Sequence, residues 1–175
     1  ETYGLDHGEL GLVLLASSIG ALIAMPFTGK VIVQAGSDKI TKLMLILFCL
    51  CTPLLALMPN PYTLALALFL LGGASGSLDV AMNAQAVLVE QKLHKPVMSS
   101  FHAIFSAGMM IGAGSGALFN RLEMDLFPHL AIVTAIGLVA ATFVLRYLIP
   151  EQRFSKEEAR ENKTNILLHP ELLIL

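Results

Sequence analysis

Charged residues cluster along this chain, and the clusters are separated by apolar runs of membrane-spanning length. No Asp, Glu, Lys or Arg occurs from Leu10 to Gly29, from Leu43 to Leu78, from Pro96 to Asn120 or from Leu126 to Leu145. A bilayer core tolerates few ionised groups and needs about 20 apolar residues per helix. The second run is too long for a single span and is divided by Pro59-Asn60-Pro61, a strong turn signal. The pattern therefore predicts five spans, at about Gly8 to Ile32, Thr41 to Met58, Tyr62 to Val89, Ser99 to Asn120 and Pro128 to Leu148. A last apolar segment, Ile166 to Leu175, carries Pro170 where it would open a further helix, and stops too soon to cross.

Composition sharpens this picture. Of 175 residues 55% are hydrophobic and 14% charged, against about 25% charged in an average soluble domain. A soluble domain, a disordered chain and a disulfide scaffold are excluded together. The net charge of -2 offers no basic surface, so no nucleic-acid partner is expected. Alternating the connections places ten of the 11 positive charges on one side, namely Lys30, Lys39, Lys42, Lys92, Lys95, Arg146, Arg153, Lys156, Arg160 and Lys163, and leaves only Arg121 on the other. The rich side is cytoplasmic by the positive-inside rule, so the first residues lie outside. Residues 150–165, with Glu and Lys/Arg interleaved, read as a solvated cytoplasmic linker. The start at Glu1 and the end inside an apolar run predict a piece of a longer membrane protein.

Helices in lipid associate by close backbone approach, and small residues four apart are the mark of it. Ala16, Gly20 and Ala24 show it in the first span, Gly72 and Gly76 in the third, and Gly108, Gly112 and Gly116 in the fourth. The third span also carries Asp79, the one charge in its apolar body, and at 100° per residue Gly72, Gly76, Asp79, Asn83, Ala86 and Glu90 share a stripe. An ionised carboxylate facing lipid costs about 3 kcal/mol or more, so Asp79 is expected to face protein or water. The fourth span sets Ser99, His102 and Ser106 on one side and its glycines on another. Histidine changes charge near neutral pH and both donates and accepts hydrogen bonds, which suits a polar solute or a proton. The plainer readings are that Asp79 caps or bonds a neighbouring helix near the cytoplasmic surface and that His102, at the membrane interface, bonds a backbone carbonyl. Cys49 and Cys51 sit about 200° apart on a helix and make no ligand pair, His7, His94, His129 and His169 have no clustered partners, and no phosphate-binding loop occurs, so no metal, cofactor or enzymatic activity is expected.

With these residues in place the chain resembles the amino-terminal half of a major facilitator superfamily transporter, helices two to six plus the start of seven. The segment Gly29 to Lys39 is similar to the superfamily's glycine-rich loop between helices two and three, with Gly29 and Gly36 seven apart followed by Asp38 and Lys39, but with Val33 and Gln34 where aspartate and arginine are usual. Leu68 stands where helix four often has arginine, and Ala113 replaces the proline of the antiporter motif, so an antiporter is not supported. Asp79-Val-Ala-Met-Asn83 resembles the carboxylate and asparagine of the L-fucose/proton symporter-like branch, with His102 at a polar helix-five position.

The resemblance implies an all-α polytopic transmembrane bundle, a partial major facilitator fold. Residues 1–149 would form an amino-terminal bundle lacking its first helix, 150–165 the linker and 166–175 the start of a truncated seventh helix. It implies a bacterial inner-membrane secondary transporter that moves a sugar or small polar solute with protons by alternating access, against a carboxy-terminal half of the same polypeptide. Asp79, Asn83, His102 and Ser106 would line the solute and proton pathway, Gly29, Gly36, Asp38 and Lys39 the gating loop. The rival from another class is a membrane scaffold or anchor subunit that packs through its glycine faces.

Overall fold

The computed structural model describes residues 6–150, and among them all regular structure is helical. Five long helices follow in order: α1 (His7–Ala35), α2 (Ser37–Cys51), α3 (Pro61–Leu93), α4 (Met98–Arg121) and α5 (Leu126–Val144), with 3₁₀ turns at Pro53–Leu57 and Leu145–Tyr147. Five candidate spans of 28, 21, 33, 24 and 22 residues are long and apolar enough to cross a membrane. The chain is an all-α bundle of the polytopic kind, as the charge pattern predicts. The expected linker at 150–165 and the expected helix at 166–175 lie outside the described residues, apart from Pro150.

Local chemistry sets the ends. Asp6 caps α1, its carboxylate accepting from the Glu9 amide at 2.8 Å while the Glu9 carboxylate accepts from the Asp6 amide at 3.1 Å. Asn60 caps α3 in the same way, accepting from the Thr63 amide at 2.9 Å, with Pro61 at the first helical position where no amide proton is needed. The expected second span, Thr41 to Met58, differs from what forms. Its helix starts four residues earlier, at Ser37, and ends at Cys51 because Pro53 cannot continue it; the 3₁₀ turn completes the crossing. Fifteen helical residues reach only about 22 Å, short of the roughly 30 Å hydrocarbon core.

The expected glycine-rich loop from Gly29 to Lys39 is also corrected. Gly29 and the six residues after it continue α1, and Ser37, Asp38 and Lys39 already belong to α2. The connection is the single residue Gly36, at φ 89° and ψ 143°, a backbone conformation close to glycine-only.

Glycine also decides how closely α1 and α3 approach. A Cβ at Gly20 would run into the Phe69 carbonyl, one at Gly72 into the Ser17 carbonyl, and one at Gly76 would lie 2.9 Å from the Ala21 Cα. Ser17 meets Gly72, Ala21 meets Gly76 and Thr28 meets Ser77, so α1 and α3 run parallel, and α2 packs against the carboxy-terminal half of α3. There Ile32, Ile40 and Ala81 form the buried apolar centre, flanked by Ala35, Met44, Val80 and Ala84. The α4 glycines behave differently: a Cβ at Gly108 or Gly112 meets nothing within 4 Å, and one at Gly116 comes only to 4.0 Å of the His129 ring. No residue of α4 is buried, and its glycine face meets another described helix only where Gly116 nears His129 of α5.

Candidate functional site

The polar residues singled out from the sequence stand on uncovered faces of α3 and α4. Asp79 is exposed, Asn83 half-buried, and His102 and Ser106 exposed. The Ser106 hydroxyl donates to the His102 carbonyl of its own helix at 2.9 Å, and among the described residues no hydrogen bond or ion pair joins the four to one another. The helical wheel places Asp79 on the stripe of Gly72 and Gly76, but the structure separates them. Those glycines are buried against α1, and further along Ser77, Leu78, Ala81, Gln85 and Ala86 are buried while Asp79 is exposed.

What is buried instead is a set of uncharged polar groups between α1, α2 and α3. Oγ1 of Thr28 lies 2.7 Å from Oγ of Ser77 and 2.9 Å from the Ala24 carbonyl. Two hydroxyl protons serve those two contacts, so α1 and α3 are joined by a satisfied bond within their apolar contact. Two turns further along α3, the Gln85 amide donates to Oγ of Ser37 at 2.8 Å and to the Ile149 carbonyl at 2.9 Å, and its oxygen accepts from the Ile149 amide at 2.9 Å. The group expected to gate is split by this arrangement. Gly36 and Asp38 are buried, Gly29 is a half-buried helical residue and Lys39 is exposed. Asp38 sits in the first turn of α2, where the helix dipole favours its charge, 3.7 Å from the Lys42 ammonium.

Glu90 completes the frame. After α3 ends at His94 in a left-handed conformation, one oxygen of the Glu90 carboxylate accepts from the amides of Val97 at 2.7 Å and Met98 at 2.8 Å. It supplies the start of α4 with the cap that Val97 cannot provide. At the opposite end of α4 the Phe119 and His129 rings stack, 4.4 Å between centroids. The α4 helix is thus tied to the rest near its ends, and its first half, with His102 and Ser106, is exposed. Helical periodicity marks Glu90 as polar but cannot find its partners, and it gives no sign of Gln85, whose signal is only an amide in an otherwise apolar stretch.

A carboxylate and a carboxamide on α3 and an imidazole and a hydroxyl on α4 supply two proton-exchanging groups and several hydrogen-bonding groups. Compared with known families, residues 1–175 match the one described as the Major Facilitator Superfamily. Among curated proteins the chain is similar to an uncharacterized MFS-type transporter of Yersinia pestis, 42% identical over 136 residues, which is 78% of this chain and 35% of that protein. An uncharacterized transporter of Sinorhizobium fredii is 38% identical over 138 residues, 78% of this chain and 37% of that protein. The inner membrane transport protein YnfM of Escherichia coli is 25% identical over 175 residues, 97% of this chain and 41% of that protein. The chain thus spans well under half the length of these relatives. No solved structure matches it.

Proposed function

Because this chain belongs to the major facilitator superfamily and is a multi-pass membrane protein, we propose that it forms part of a secondary transporter that moves a sugar or other small polar solute with protons. The observation that carries the reading is Asp79, the one ionisable side chain within the apolar body of α3, on a face that no described helix covers. An ionised carboxylate at membrane depth costs about 3 kcal/mol, and taking up a proton removes that cost. Asp79 is therefore suited to be neutral in one stage of alternating access and ionised in another. Asn83, His102 and Ser106 supply hydrogen bonds to the solute or to Asp79, and the substrate is held against a second half of the polypeptide. The L-fucose/proton symporter-like branch is the reading of Asp79 and Asn83 together, and the bacterial inner membrane is its setting. Relatives named as transporters favour this over a scaffold.

The test is uptake by the full-length protein in proteoliposomes, offered a panel of radiolabelled monosaccharides with and without an inward proton gradient. Asp79→Asn is expected to abolish gradient-driven accumulation while solute exchange at equal pH continues. Gradient-driven accumulation that survives the substitution removes Asp79 from coupling.

A further inference from the structure

We infer that Gln85 is a positioning residue that locks the chain where it leaves α5 to the hinge between α1 and α2. Gln85 is 5% exposed, and its carboxamide spends both protons and its oxygen on three bonds, to Ser37 and to the two backbone groups of Ile149. The partners lie 48 and 64 residues away in sequence, so one side chain on α3 ties together three segments that local structure does not connect. The chain is prepared for it at both ends. Pro150 disfavours the helical conformation for Ile149, so the helical path ends at the Leu145–Tyr147 turn, and Leu148 is extended at ψ 135°. Ile149, half-buried, is then left with an amide and a carbonyl outside any helix, and such groups take partners where water is excluded. At the other end Gly36 turns the chain sharply enough to bring Ser37 into the interior, where it is fully buried.

The pairing with Ile149 copies a backbone ladder, one donor and one acceptor side by side, which a carboxamide presents on the two terminal atoms of one planar group. A glutamate in its place offers two acceptors and repels the Ile149 carbonyl when ionised; once protonated it again offers a donor beside an acceptor. The lock fixes the starting point of the chain after Pro150 relative to α1, α2 and α3. A pull on that chain would then move the three helices as one body, a consequence that rests on the transport reading above, whereas the lock itself does not.

The experiment is hydrogen exchange of the full-length protein in lipid nanodiscs, followed at the Ile149 amide. Protection is expected in the parent protein, and Gln85→Met should speed exchange about tenfold after correction for intrinsic rates, the factor implied by losing one hydrogen bond of ordinary net strength. Gln85→Glu should exchange as fast as Gln85→Met at alkaline pH and regain protection at acidic pH. The parent, with the same Asp38, Lys39, Lys42, Glu90 and Arg146, is titrated alongside. Spin labels at Lys39→Cys and Tyr147→Cys, with Cys49 and Cys51 replaced by alanine, should give a narrow distance distribution that broadens in Gln85→Met. An Ile149 amide unprotected in the parent overturns the lock even if no variant folds, as does a Gln85→Glu protein without pH dependence. No solute is involved, so failure of the Asp79→Asn uptake experiment leaves this result standing.

Discussion

Close contact between α1 and α3 is decided by single atoms. Gly72 and Gly29 are both helical, yet a Cβ at the first collides with the Ser17 backbone and at the second meets nothing within 4 Å. Gly72→Val should therefore destabilise the bundle by about 1–3 kcal/mol or more, since parallel backbones cannot part locally. Gly29→Ala should stabilise it by about 0.4–1 kcal/mol, because alanine loses less backbone freedom in a helix. Thermal unfolding of the two variants in one detergent decides the matter, and equal shifts would contradict the assignment. The hydroxyl pair is a second test. A double-mutant cycle of Thr28→Val and Ser77→Ala should return a coupling of about 0.6 kcal/mol and no more than about 1.7, the range for hydrogen bonds between membrane helices. Spacing by four identifies Gly72, Gly76 and Gly20 from sequence alone, because backbone approach needs small residues wherever it occurs. It also marks Gly108, Gly112 and Gly116, which touch almost nothing here, since periodicity defines a face without naming what lies against it.

At the scale of elements, charge-free runs locate four of the five helices to within four residues at each end, because the cost of an ion in hydrocarbon does not depend on tertiary contacts, while α2 ends seven residues before the expected Met58. Connections are harder to read. Gly29 to Lys39 carries two glycines and several polar groups and reads as a loop, yet one residue suffices to turn the chain when it is a glycine at φ 89°. Gly36→Ala should cost about 1–3 kcal/mol, more than an alanine at any helical glycine with open space around it, and unfolding of the purified variant measures it. Glu90 makes the corresponding corner between α3 and α4. Glu90→Leu leaves the amides of Val97 and Met98 without their acceptor, so the first turn of α4 should fray, seen as faster hydrogen exchange at residues 97 to 101. Exchange there that stays as slow as in the parent would show that the carboxylate contributes nothing to α4.

Over the whole molecule the parallel course of α1 and α3 and the distribution of charge make the same claim about orientation. Asp6 and Asn60, the caps of two parallel helices, must lie on one side, and the α4–α5 corner with Arg121, Glu123 and Asp125 joins them after two further crossings. The other side receives Lys30, Lys39 and Lys42 near the α1–α2 hinge, Lys92 and Lys95 at the end of α3, and Arg146 after α5. Six of the seven described positive charges therefore gather at one end, which the positive-inside rule predicts to face the cytoplasm. The relation of Asp79 to His102 is not legible in the same way, for it depends on which helices cover α3 and α4, and no described helix covers either residue. Orientation decides which face of the membrane each residue is nearer, so it can be tested first. In a full-length protein cleared of native cysteines, Asn60→Cys and Glu123→Cys should react with a membrane-impermeant maleimide added to intact cells. Lys95→Cys should react only after permeabilisation. Labelling of Lys95→Cys from outside would invert the bundle and place the Gln85 lock at the outer face, away from a cytoplasmic linker.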